Sequence, residues 1–193
     1  RQWACLMRTP ALVGACVSGM KSAVKVPVTV KCRIGVDEQE PASVLPAFLE
    51  KLAAAGVTRI AIHARKAWLQ GLSPKENREI PPLDHPLVVA MKRAFPHLHI
   101  SLNGGVADLD AAEAHLAAGL DGVMIGRAAY HDPALLGAVD RRIFGAAIPD
   151  VSAHEAVGAM LPSIEAERSR GTHLHQITRH LLGAFQGRPG ARR

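Results

Sequence analysis

The stretch HISLNGGVADLDAAEAHLAAGLDGVMIGR, residues 99–127, decides the fold. A short apolar run at 99–102 ends in Asn103-Gly104-Gly105, and a helix-forming segment occupies 108–118. A second apolar run at 122–125 then ends in Gly126-Arg127. Run, helical period and run again is the pattern of a strand–helix–strand unit, whose strands lie parallel and whose crossover is right-handed.

The same alternation extends outward in both directions. Upstream, residues 28–34 and 59–63 read as strands, and 43–55 and 86–95 as helices, with Gly56 closing the first helix. A helix is predicted over 4–24, before the Val26-Pro27 break, and another over 133–144. Near Ile148-Pro149 the alternation stops, and 154–168 and 172–185 read as two helices with no strand between them. A basic Gly/Pro-rich tail follows at 187–193. The expected organisation is an α/β domain over 1–148 and a small all-α domain over 149–193. Four βα units are half of the eight in a closed (β/α)8 barrel, so the sheet is either open or half of a barrel. Periodicity alone leaves both readings standing.

Bulk properties narrow the function classes. A chain of 193 residues, 48% hydrophobic, can bury a real core. No apolar run reaches about 18 residues and no signal-peptide pattern opens the chain, so a soluble, cytoplasmic protein is expected. The first residue is Arg1, which points to a missing upstream segment. Cys5, Cys16 and Cys32 lack metal or redox spacing and are expected to be reduced, mostly buried thiols. Lys plus Arg outnumber Asp plus Glu by 23 to 17, a net +6 that favours polyanionic partners without proving one.

In parallel α/β folds the ligand sits where strands end. Here they end on Lys31 and Arg33, on His63, Arg65 and Lys66, on Asn103-Gly104-Gly105, and on Gly126-Arg127. Glycines in such places either make tight turns or let backbone N–H groups approach a phosphate; two such sites on successive strands favour phosphate. Lys31, on an otherwise apolar strand, either faces an anionic ligand or lies at a solvated edge. His63 is either a ligand donor or a satisfied core histidine. The segment 63–78 joins several basic residues to Trp68, read as exposed. It suits RNA, with a solvated charged loop as the alternative. His97/His99 and His173/His175 are not completed by a carboxylate or cysteine, so no metal is assigned.

PVTVKCRIG (27–35), IHARKAWLQGLSPKENREIPPL (62–83), LNGGV (102–106), DGVMIGRAAYHDP (121–133) and HQITRHLLGAFQGRPGAR (175–192) resemble the tRNA-dihydrouridine synthases, most closely the DusA type. The resemblance implies the C-terminal half of an FMN-binding TIM barrel followed by a helical tRNA-binding domain. It also implies the reaction: NADPH reduces the flavin, and a uridine flipped out of the tRNA D-loop is reduced to 5,6-dihydrouridine. Lys31 and His63 match the family's flavin-ring contacts; Asn103, Gly104, Gly105, Gly126 and Arg127 match its phosphate loops. Arg65, Lys66, Lys75, Arg78 and Arg179 are the expected tRNA contacts. The family's general-acid cysteine belongs to a Cys-Pro-Ser type segment expected upstream of Arg1, so Cys5, Cys16 and Cys32 are not assigned that role and this chain alone is expected to be inactive. Exposed barrel edges are expected to promote self-association. A non-catalytic tRNA-binding module and another phosphate-binding barrel enzyme are the alternatives.

Overall fold

The structure, a computed structural model, describes residues 2–191; Arg1 and the tail residues Arg192 and Arg193 lie outside the described residues. Four strands form one parallel sheet in the order β1-β2-β3-β4: β1 Val30–Arg33, β2 Arg59–His63, β3 His99–Asn103 and β4 Gly122–Met124. Between them run α1 Pro10–Ala23 ahead of β1, α2 Pro41–Ala54, α3 His85–Ala94 and α4 Leu109–Ala117.

Each helix starts where its sequence dictates. Pro41 opens α2, where a missing N–H costs nothing, and the Glu40 side chain accepts from Ala42 N–H. Leu45, Phe48, Leu49 and Leu52 then fall on one buried stripe at helical spacing. Asp84 caps α3 by accepting from Leu87 N–H at 2.9 Å. Lys92, in the last turn of α3, pairs with Asp121 at 2.8 Å, and Asp121 also accepts from Ile100 N–H at 2.8 Å. These bonds fix β3 against the residue that precedes β4.

The chain divides into two compact units, Arg1–Gly105 with Ala114–Met124, and Val106–Glu113 with Ile125–Arg193. The core of the first gathers Leu45, Leu49 and Leu52 of α2 with Ile60, Ile62, Ile100 and Leu102 of the sheet and Val88 of α3, all essentially inaccessible. Each such burial contributes about 1.5–3 kcal/mol. Ile60, Ile62, Ile100 and Leu102 share one face of the sheet; the opposite face carries Lys31, Arg33, Ala61, His63, Ser101 and Asn103.

The described secondary structure of the second unit is helical: α5 Arg127–His131, α6 Val139–Arg142, α7 Ala153–Ser169 and α8 Leu174–Thr178, with 3-10 turns at Pro133–Ala138 and Leu182–Phe185. A capping box, Ser152 with Glu155, opens α7. The continuous helices expected over 133–144 and 172–185 are broken. Asp132 caps a fresh turn at Pro133, and at Gly137 a Cβ would lie 2.0 Å from Val151 O. At Gly183 a Cβ would lie 2.2 Å from His131 O. Chain crossings at both glycines replace regular helix with short turns. At the front, the helix expected over 4–24 is a 3-10 segment, Gln2–Arg8, and a separate α1, because Pro10 starts a new helix. Cys5 lies in the 3-10 segment and Cys16 on α1, both exposed, while Cys32 is buried; the expectation of buried thiols holds for one of the three.

Candidate functional site

The strand register brings Arg33, His63, Asn103 and Met124 side by side at the C-terminal end of the sheet. Two residues back along each strand lie Lys31, Ala61 and Ser101. Lys31, Ala61, Ser101 and Met124 line a hollow of about 260 Å³ on this face.

His63 sits at the centre of the row. It is 7% exposed, and its Nε2 is buried without a hydrogen-bond partner among the described residues. Burial, followed by the charges of Arg33 and Lys31, pulls its pKa down to about 3, against a pull from the Asn103 side chain. The ring is therefore neutral at physiological pH. Asn103 Nδ2 donates to Met124 O at 2.7 Å, tying the end of β3 to that of β4. Lys31 keeps an accessible side chain; partial desolvation of its ammonium and then the neighbouring Arg33 lower its pKa. Arg33 is likewise lowered, by burial first and then by Arg78 and Arg65. Cations that destabilise one another make a place suited to an anion or an electron-rich ring edge.

Gly104 and Gly105 follow Asn103 with φ of +100° and +77°, the left-handed region. A Cβ on Gly104 would lie 3.0 Å from His63 Nε2, and one on Gly105 would lie 2.5 Å from Leu83 Cδ1. The backbone conformation favours glycine at both, and at Gly104 the close approach of His63 adds to it. Gly126 and Arg127 belong to the second unit, where Gly126 precedes α5 and Arg127 is exposed. A Cβ at Gly126 would meet nothing within 4 Å, so packing among the described residues does not demand glycine there.

The long connection from β2 to α3 is organised from within. Arg33 donates to Lys66 O at 3.1 Å and Asn77 O at 2.8 Å. Buried Asn77 accepts from Trp68 N–H at 2.7 Å and donates to the carbonyls of Trp68, Leu72 and Ser73. Asp37 accepts from Leu69 N–H at 2.7 Å and pairs with Arg8. Arg65 donates to Glu79 O and Pro81 O, so it shapes the loop. Lys66 Nζ lies 5.4 Å from the Trp68 ring centroid. Trp68 is half-buried, contrary to its expected exposure, because Asn77 holds its backbone inward. Lys75 and Arg78 are exposed on this lobe. In the second unit, exposed Arg179 donates from Nε to His180 Nε2 at 3.1 Å, beside a cavity of about 950 Å³ that Tyr130 and Arg188 also line.

Residues 3–193 match the family described as dihydrouridine synthase. The chain belongs to that family. Curated relatives named tRNA-dihydrouridine(20/20a) synthase include those of Escherichia coli O6:H1, 55% identical over 98% of this chain and 57% of its own length, and Vibrio cholerae serotype O1, 54% identical over 98% of this chain and 58% of its own. The dihydrouridine synthase segment seen here thus spans a little over half the length of those relatives. A solved structure, the phosphoenolpyruvate phosphomutase of Streptomyces platensis subsp. rosaceus, covers 89% of this chain and 75% of its own at 19% identity and a TM-score of 0.47, too distant to bear on fold or function. Among the described residues no group of three or more His, Cys, Asp or Glu side chains could hold a metal, and no helix is long and apolar enough to cross a membrane.

Sequence reading placed Arg33 at a polar strand end but gave it no ligand role, and it missed Asn77 altogether. The first was legible from its two-residue spacing to Lys31 on one strand; the second, an asparagine inside a loop, carries no local signal that it is buried.

Proposed function

We propose that the chain is the flavin- and tRNA-handling part of a tRNA-dihydrouridine synthase, contributing four βα units of a (β/α)8 barrel and, over 149–193, a helical tRNA-binding region. The observation that carries this reading is the row of cationic Lys31 and Arg33 and neutral His63 beside Gly104-Gly105, in a chain whose family is known. The orphaned Nε2 of His63 and the open face at Lys31 fit FMN. Lys31 and His63 would hold its ring, and Asn103, Gly104 and Gly105 its phosphate; Gly126 and Arg127, of the second unit, match the family's other phosphate loop. When bound, FMN supplies the hydride that reduces the C5=C6 bond of a D-loop uridine, with NADPH as the source.

The chain's own groups have defined tasks. Lys31 offers a fixed cation to electron density at the ring edge. His63, held neutral, offers either a donor or an acceptor according to its tautomer and moves no proton near neutral pH. Cys32 cannot supply the proton that completes reduction: it is buried and its thiol is pushed up to about 12. That proton would come from the general-acid cysteine that the family resemblance implies, expected upstream of Arg1. Lys66, Lys75, Arg78 and Arg179 supply phosphate contacts to tRNA, with Arg65 acting through the loop it shapes.

The protein, expressed with the coding sequence contiguous with it, is given unmodified tRNA transcript, FMN and NADPH, and nucleosides are read by mass spectrometry. Dihydrouridine in the D-loop is expected. Salt-dependent tRNA binding with no flavin uptake and no dihydrouridine would instead favour a non-catalytic RNA-binding module.

A further inference from the structure

Gly104-Gly105 is held from beneath by the start of α3. His85 places Nε2 at 2.8 Å from Gly104 O; a carbonyl only accepts, so Nε2 carries the proton. Asp84 caps α3 through Leu87 N–H, and its own N–H donates to Ala64 O at 2.8 Å, which fixes His85 relative to the end of β2. The His115 ring packs edge-on against the His85 ring, with centroids 4.7 Å apart and planes at 84°. Leu83 fills the space under Gly105. Two successive glycines have little conformational preference of their own, so an outside bond must choose the orientation of the peptide between them.

We propose that His85 is a positioning residue for the glycine pair. In a trans peptide the C=O and the following N–H point in opposite directions. Anchoring Gly104 O on His85 therefore turns Gly105 N–H away from α3, where it meets a phosphate monoester. His85 touches no ligand; it acts through one peptide plane. This rests on the reading of Gly104-Gly105 as a phosphate loop.

The test compares FMN with riboflavin, the same ring without the phosphate, by equilibrium titration of wild type, His85→Phe and His85→Gln in the protein prepared with its contiguous coding sequence. Wild type is expected to prefer FMN. His85→Phe, which keeps a ring against His115 but loses the donor, is expected to weaken FMN binding about five- to tenfold and to leave riboflavin binding unchanged. His85→Gln, which restores an N–H, should recover most of the preference. A His85→Phe protein with the wild-type ratio of FMN to riboflavin affinity overturns the role of His85 while sparing the glycine loop. Wild type that binds the two ligands equally, or neither, overturns the loop reading and this inference with it. Should His85→Phe fail to fold, His85→Met against His85→Gln makes the same comparison at nearly equal side-chain length.

Discussion

Gly104 is constrained twice, by a φ of +100° and by His63 Nε2 lying 3.0 Å from where a Cβ would stand. Gly104→Ala should lose about 1–2 kcal/mol from backbone strain alone, read as a lower urea midpoint; an unchanged midpoint would contradict the left-handed conformation. His63 makes a prediction in pH. Its folded pKa of about 3 lies below the ordinary 6.5, so between those values the unfolded chain binds the proton and the folded chain does not. Stability must then fall as pH drops from 6.5 towards 3, with no contribution from this residue above that window. His63→Asn should flatten the pH dependence there, seen in denaturation midpoints at a series of pH values; parallel curves would show that His63 titrates normally. For the cysteines, Cys16 is expected to react quickly with a thiol reagent and Cys32 only after unfolding.

The connection between β2 and α3 is held together by Asn77. Asn77→Ala removes the acceptor of Trp68 N–H and the donor to Trp68 O, both part-buried, so a loss of about 1–3 kcal/mol is expected by urea denaturation, with tRNA affinity reduced because Lys75 and Arg78 ride on the same lobe. Reversing those two charges, Lys75→Glu and Arg78→Glu, should weaken tRNA binding and lower its salt slope by about one for each phosphate no longer neutralised; an unaltered slope would remove this lobe from the interface. The strands and their polar ends were legible because period-two alternation and flanking glycines are local signals. The starts of α2 and α3, expected at 43 and 86, fall one to two residues late because that reading leaves out the start signals Pro41 and Asp84. The order inside the loop was not legible, since it depends on Arg33 reaching Asn77 from a distant strand and on Asn77 turning inward to bond the loop backbone. The fragmentation of the last helices was hidden for a related reason: Gly137 and Gly183 are cut short by chain segments that approach from elsewhere in the sequence.

At the scale of the whole molecule, the family match runs over 3–193 while the relatives extend well beyond what this chain covers. In the first unit β1 and β4 are the outer strands of the sheet, and a largely apolar hollow of about 500 Å³ lies between α1 and β1, lined by Leu12, Val17, Met20 and Val28. Unpaired strand edges beside apolar surface invite association. The chain alone is therefore expected to show a concentration-dependent mass in light scattering, and a constant monomer mass would argue against open edges. The central claim, that the polar face of this sheet holds a flavin, is tested most directly by titrating FMN into the protein expressed with its contiguous coding sequence, alongside Lys31→Ala, and following the visible flavin band. Saturable binding by wild type that weakens markedly in Lys31→Ala is the predicted result; a correctly folded wild-type protein that takes up no FMN, or a Lys31→Ala variant that binds it equally well, would contradict the claim.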